Sequence, residues 1–238
     1  IGEPLCAVSP TAYYINIMIK KFTKTTPLDR LLEGLNSDGI FIIDQYLEGQ
    51  PLIELYDEVL GLCTTEAGHY ELGRNYRGPS LQSFYTNSAI YKTYNEDWMK
   101  NLDSKYRKTP RGYCSNIFAT HDFKPQVSGS APNAWLHYDR QRCLKFFIYL
   151  TDIYQESGAF YCSPGSVKET SLIRKKIKNY PKERRLDDTF PEAVKKYPPE
   201  AVEGKAGTLI VFDTDCFHKG GLCKAGEERL VVRAHCKF

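Results

Sequence analysis

No stretch of this chain is apolar for long enough to cross a membrane, and no charged-then-apolar leader opens it. There is no C-x-x-C pair among eight scattered cysteines, which argues against a zinc knuckle or ribbon. A chain of this length and apolar content needs no disulfide framework, so reduced thiols and a cytoplasmic setting are expected. The net charge is only +3, too small to argue for nucleic acid or a lipid surface as partner. Histidine is scarce as well. The five are His69, His121, His137, His218 and His235, so any site built on imidazole has few candidates.

What is present is a soluble-type composition rich in aromatics, with 17 Tyr and 12 Phe among 238 residues. One domain over 1–238 is the simplest reading, with a helical cap over roughly 1–110 and a β core over roughly 111–238. An arm or edge strand is expected within 1–23. Thr26-Pro27 looks like a helix start, with Thr26 as N-cap and Pro27 at the first helical position. Leu28, Leu31, Leu32 and Leu35 then keep helical spacing. Asp38-Gly39 ends that helix, and Ile40–Ile43 reads as a short buried strand. Leu52 to Leu60 forms a second amphipathic helix.

Residues 64–80 read as a polar loop, 83–94 is ambiguous, and 98–102 is helical. Strands are expected at 113–123, 143–151, 159–162, 208–212 and 229–236, with turns at 156–158, 163–166 and 219–221. Residues 168–200 form a basic, partly helical insertion. Helices first and short strands after them predict a mainly β fold with flanking helices, a β-barrel or a double-sheet jelly roll.

His137-Tyr138-Asp139 is the first chemical signal. On an extended segment, residues two apart face the same way, so the imidazole and the carboxylate share a face. That is two thirds of the two-histidine, one-carboxylate set that holds non-haem iron. Alone it is also compatible with a His and an Asp at a strand end. His218 lies 79 residues beyond Asp139, just past a buried strand, and is the candidate third ligand. His121 and His235 compete for that role. Asp122 would face away from His121, His235 suits a packed or solvated place in the last strand, and His69 falls in the polar loop.

Arg229, eleven residues after His218, opens the last strand. Inside an apolar barrel it would need an anionic partner. On a surface it would pair with Glu227 or Glu228. Arg233 shares its face and is the alternative anchor. Lys145, Phe147 and Tyr149 share one strand face, either the pocket wall or core.

In this order the motifs resemble the phytanoyl-CoA dioxygenase-like (PhyH) family of Fe(II)/2-oxoglutarate-dependent oxygenases. The matching segments are Leu35 to Ile43, Phe123-Lys124-Pro125, His137-Tyr138-Asp139, Leu150-Thr151-Asp152, Ser157-Gly158-Ala159, Ser163-Pro164-Gly165-Ser166, His218 and Arg229. The resemblance covers most of the chain and implies a double-stranded β-helix of the jelly-roll, cupin-like kind. It implies Fe(II) on His137, Asp139 and His218, with 2-oxoglutarate and O2 as cosubstrates and Arg229 on the far carboxylate. It also implies hydroxylation of an unactivated C–H bond of a small molecule, with release of succinate and CO2.

Val167 departs from the family's His after P-G-S, and Gly220 from a polar residue two after the distal His. Asp139, which related halogenases lose, favours hydroxylation over halogenation. The insertion at 168–200 falls where the family often carries a lid, and its basic residues would suit an anionic substrate. The loop at 64–80 is a second candidate for substrate contact. Other readings are a catalytically silent metal-binding or sensor protein on the same fold, a hydroxylase acting on a macromolecule, and a simple cupin-type metal binder. The sequence does not fix the oligomeric state.

Overall fold

The computed structural model describes residues 18–66, 68–70, 73–108, 112–126, 134–176 and 185–238. Cys6, most of the expected N-terminal arm, residues 127–133 of the Gly/Ser/Pro loop and residues 177–184 of the basic insertion lie outside them. In chain order the elements are β1 (Lys20–Phe22), α1 (Leu28–Asp38), β2 (Ile40–Ile43), α2 (Gly49–Thr65), β3 (Gly68–Tyr70), β4 (Gly73–Arg77), α3 (Ala89–Tyr94), α4 (Asp97–Arg107) and β5 (Asn116–Asp122). Then come β6 (Cys143–Tyr149), β7 (Phe160–Cys162), α5 (Val167–Lys176), α6 (Leu186–Thr189), α7 (Pro191–Lys196), β8 (Glu200–Val202), β9 (Leu209–Asp213), β10 (His218–Gly220) and β11 (Arg229–Lys237).

Eight strands form the large sheet, in the order β1-β2-β9-β6-β11-β5-β4-β3, and three form the small one, β10-β7-β8. All neighbours are antiparallel except β1 and β2. The two sheets face each other as a jelly roll with the helices outside, which is the expected fold class. Strand alternation divides the core. Leu144, Phe146 and Ile148 of β6, Leu209 and Val211 of β9, and Leu230 and Val232 of β11 pack outward with Leu35, Leu55, Val59, Ile90, Met99 and Leu102 of the helices. Phe147, Tyr149, Ile210, Phe212 and Val231 point inward, toward Phe160, Cys162 and Val202 of the small sheet.

Local chemistry explains the helix ends. Gly39 adopts φ +73° and its N–H donates to Leu35 O, closing α1 as the Asp38-Gly39 pair predicts. A Cβ there would sit 2.4 Å from Cys216 Sγ, so the close approach also needs glycine. The start of α1 differs from expectation. Pro27, not Thr26, is the N-cap and no side chain caps it. Thr26 Oγ1 is occupied by the Thr23 N–H at 3.0 Å instead.

Three further expectations give way. Much of the polar 64–80 segment forms the β3–β4 hairpin, whose β4 pairs with β5 and extends the large sheet; its polarity suits a sheet edge rather than a loop. The ambiguous 83–94 stretch ends in α3, where Ser88 Oγ accepts from Tyr91 N–H at 3.1 Å as a true cap. Lys219 and Gly220 belong to a strand, not a turn. The neighbouring Gly221 passes so near β7 that a Cβ would lie 2.4 Å from Ala159 O.

Candidate metal centre and its cavity

Residues 134–142 carry no extended strand, only a single bridge from His137 to His218. That bridge is complete: His137 N–H donates to His218 O at 2.9 Å and His218 N–H returns the bond at 2.7 Å. Asp139 N–H donates to Thr214 O at 3.1 Å, which ties the segment to the end of β9 as well. Alternation then sorts the side chains. His137, Asp139 and His218 face the interior. Leu136, Tyr138 and Phe217, their chain neighbours, face the other way and pack with Ile173 and Leu186 of the insertion. The described part of that insertion thus clamps the back of the metal strands.

His137, Asp139 and His218 each offer a ligand atom, and these atoms lie within 4.8 Å of one another. Asp139 Oδ1 is 3.8 Å from His137 Nε2 and 3.6 Å from His218 Nε2. His137 Nδ1 is 2.9 Å from Trp135 O and His218 Nδ1 is 2.7 Å from Cys216 O. A carbonyl only accepts, so each Nδ1 carries the proton and each Nε2 lone pair is free for a metal. Burial, followed by the neighbouring His218, pushes His137 down to about 3 and keeps it neutral. Burial alone would favour the protonated form of Asp139, but Lys145 and His218 outweigh it and hold the carboxyl well below the usual carboxylate range. Lys145 Nζ donates to Asp139 Oδ2 at 2.7 Å and leaves Oδ1 turned to the imidazoles. Two imidazoles and one carboxylate, each oriented by a further hydrogen bond, fit an iron ion.

Two carboxylates that the sequence did not single out brace the loop before His218. Asp213 accepts from Arg142 Nη2 at 2.5 Å, from Tyr106 Oη at 2.8 Å and from Asp215 N–H at 2.9 Å. Asp215 accepts from Arg174 Nη2 at 2.6 Å, and the same guanidinium donates to Asp139 O at 2.6 Å. Arg174, counted among the basic residues of the insertion, is therefore spent on the scaffold. Ser166 of the P-G-S motif accepts from Phe217 N–H at 2.8 Å, which explains that motif as a support for His218.

The ligand face opens on a cavity of about 540 Å³, within the range of small-molecule sites. Phe147, Phe160 and Phe212 make its apolar lining, and Lys145, Arg229, Arg233 and His235 reach it from the large sheet. Of the face shared by Lys145, Phe147 and Tyr149, the first two line the cavity. Tyr149 is core, its hydroxyl donating to Val202 O at 2.7 Å.

Arg229 is paired with Asp122, Nε at 2.9 Å and Nη2 at 2.5 Å, and Nη1 donates to the carbonyls of Gly158 and Gly221. Gly158, at φ +86°, is the glycine of the Ser157-Gly158-Ala159 motif, and a Cβ there would lie 3.1 Å from Arg229 Nη1. The acidic partner is thus Asp122, 107 residues away in sequence, and not Glu227 or Glu228. His121 instead lies 3.2 Å from Glu228, outside the ligand cluster. His235, expected to be packed or solvated, lines the cavity and stacks on Phe118 at 4.3 Å. His69 falls in β3.

Solved structures share this architecture. The non-haem α-ketoglutarate-dependent epimerase SnoN from nogalamycin biosynthesis matches with TM-score 0.60 and 18% identity, over 87% of this chain and 81% of that one. HygX from Streptomyces hygroscopicus, solved with nickel and 2-oxoglutarate, matches with TM-score 0.59 and 16% identity, over 87% and 85%. The α-ketoglutarate-dependent carbocyclase SnoK from nogalamycin biosynthesis gives TM-score 0.60 and 14% identity, over 89% and 86%. A comparison with curated proteins finds no match. At these identities the likeness establishes the fold.

Fold and donor set together define a jelly-roll enzyme of the Fe(II)/2-oxoglutarate-dependent oxygenase type. Residues 113–229 match the phytanoyl-CoA dioxygenase (PhyH) family, and this segment holds all three candidate ligands.

Proposed function

We propose that the protein hydroxylates an unactivated C–H bond of a small molecule, with His137, Asp139 and His218 holding Fe(II) and Arg229 receiving the distal carboxylate of 2-oxoglutarate. The observation that carries this reading is the convergence of three ligand atoms within 4.8 Å, with both Nδ1 positions already engaged. When bound, iron and 2-oxoglutarate supply the oxidising chemistry with O2, releasing succinate and CO2.

The chain's own residues do the positioning. His137 and His218 present their Nε2 atoms, and Lys145 fixes which Asp139 oxygen faces them. Asp122 and the Gly158 carbonyl hold the Arg229 guanidinium in place, with one N–H of the five still to give. Phe147, Phe160 and Phe212 keep the space between them dry. Among the described residues no helix is long and apolar enough to cross a membrane. Buried free thiols at the seven described cysteines suit a reducing, cytoplasmic setting.

The test is anaerobic titration of the Fe(II)-loaded protein with 2-oxoglutarate, followed by O2 and assays for succinate and product. A visible chelate band with slow succinate release is expected. No band in iron-loaded protein would remove the cosubstrate from the reading. A product of epimerisation or ring closure would remove hydroxylation.

A further inference from the structure

Arg229 and Arg233 point the same way from β11, four residues and so roughly 13 Å apart. Their surroundings differ. Arg229 has its carboxylate in Asp122. Arg233 donates only from Nη2 to Thr120 Oγ1 at 2.7 Å, and its guanidinium lies 5.8 Å from the Phe147 ring centroid. No carboxylate bonds to it among the described residues. Burial, then the charge of Arg229, lowers it to about 10, so it is still a cation at neutral pH. Beside it, His235 Nε2 is buried with no hydrogen-bond partner among the described residues.

The charges of the cavity can be paired off. Asp139 is met by Lys145 and Asp122 by Arg229. A divalent iron and a dianionic cosubstrate cancel each other. Two cations remain: Arg77, which is exposed to solvent at the cavity, and Arg233, a desolvated cation that costs stability until an anion meets it. The cosubstrate has one far carboxylate, and the proposed function gives that group to Arg229.

We infer that Arg233, with Thr120 beside it and the free Nε2 of His235, is a subsite for a carboxylate or sulfonate group on the substrate. The inference rests on the oxygenase reading above and adds the substrate class: a small molecule bearing one anionic oxyacid group near the carbon to be oxidised. The planar guanidinium suits such a group because it can bind both oxygens at once.

The test uses zinc-loaded protein saturated with 2-oxoglutarate, probed by ligand-observed NMR. The probes are propionate, 3-phenylpropionate, methanesulfonate and the amide of 3-phenylpropionate. The acids are expected to bind about tenfold tighter than the amide. Arg233→Met should remove that preference, and Arg233→Lys should restore part of it. In Arg233→Met the affinity for 2-oxoglutarate should stay near wild type and the melting temperature should lie at or above it.

Equal binding of acids and amide to wild type would overturn the subsite. So would an Arg233→Met protein that keeps the preference. Loss of 2-oxoglutarate rather than of the acids would make Arg233 the cosubstrate anchor, refuting the subsite while leaving the oxygenase reading in place. Failure of 2-oxoglutarate to bind zinc-loaded wild type would remove that reading, and the subsite with it.

Discussion

The two walls of the cavity are built on opposite rules. On the small-sheet wall the polar atoms of the metal-site residues that do not face the centre are already paired. Both Nδ1 atoms rest on carbonyls, Asp139 Oδ2 on Lys145, and the backbones of His137 and His218 on each other. On the large-sheet wall some donors are spent and some are not: Arg229 is nearly saturated, whereas Arg233 and His235 hold bonds in reserve. The difference separates two tasks. A metal site must have its geometry fixed beforehand by neighbours that lock each ligand. A wall that receives a ligand must keep donors that only the ligand satisfies.

The harshest way to break this comparison is to remove the fixed wall's centre. Asp139→Ala or His137→Ala should abolish iron-dependent succinate formation, a loss on the order of a thousandfold or more by the scale of lost catalytic groups. Circular dichroism should stay near that of wild type. Full turnover in either variant would sink the ligand assignment.

Next comes the back of that wall. Phe217 is fully buried against the insertion, directly beside His218. Phe217→Ala should cost about 3–5 kcal/mol by cavity formation and desolvation. If the insertion fixes the metal strands, the surviving folded protein should also retain iron poorly in a dialysis assay. Normal stability would show that the insertion is a loose cover.

Much of this was legible in the chain and some was not, for reasons that differ by residue. The helices, the apolar strands and the shared face of His137 and Asp139 follow from spacing, because periodicity and short-range alternation are local properties; His218 entered as a candidate and through the family resemblance. The β3–β4 hairpin escaped because an edge strand can be polar and still pair. The β10 glycines looked like a turn because close strand contact and tight turning both call for glycine. Asp122, Asp213 and Arg174 escaped because their partners are 107, 71 and 41 residues away, and no pattern in a single sequence announces such pairs. Leu150-Thr151-Asp152 matched as a family motif with no role assigned to it. Its Thr151 Oγ1 accepts from Leu230 N–H at 3.1 Å and Asp152 Oδ1 from Ala206 N–H at 2.9 Å, which pins the turn after β6.

On the receiving wall, Arg229→Ala should raise the 2-oxoglutarate requirement on the order of 10–100-fold, the worth of a charge-assisted pair in a dry site. It also leaves Asp122 buried beside the vacated space, so Asp122→Asn in the same background should recover stability without recovering affinity. An unchanged requirement in Arg229→Ala would move the anchor to Arg233 and overturn the division of labour between the two arginines.

The smallest effect expected is at Ser166, which bridges the P-G-S turn and the strand of His218. Its hydroxyl donates to Ser163 O at 2.7 Å and accepts the Phe217 N–H at 2.8 Å, and all three residues are buried. Ser166→Ala keeps the volume nearly constant and leaves one buried N–H without its acceptor. The cost should be about 1 kcal/mol or a little more in urea unfolding. Because Phe217 precedes His218, relaxation of that N–H would also let the imidazole drift, so iron should dissociate faster while 2-oxoglutarate affinity, set on the opposite wall, holds. A variant that loses cosubstrate affinity and iron retention together would mean that the two walls are coupled and that the fixed and receiving sides are one unit.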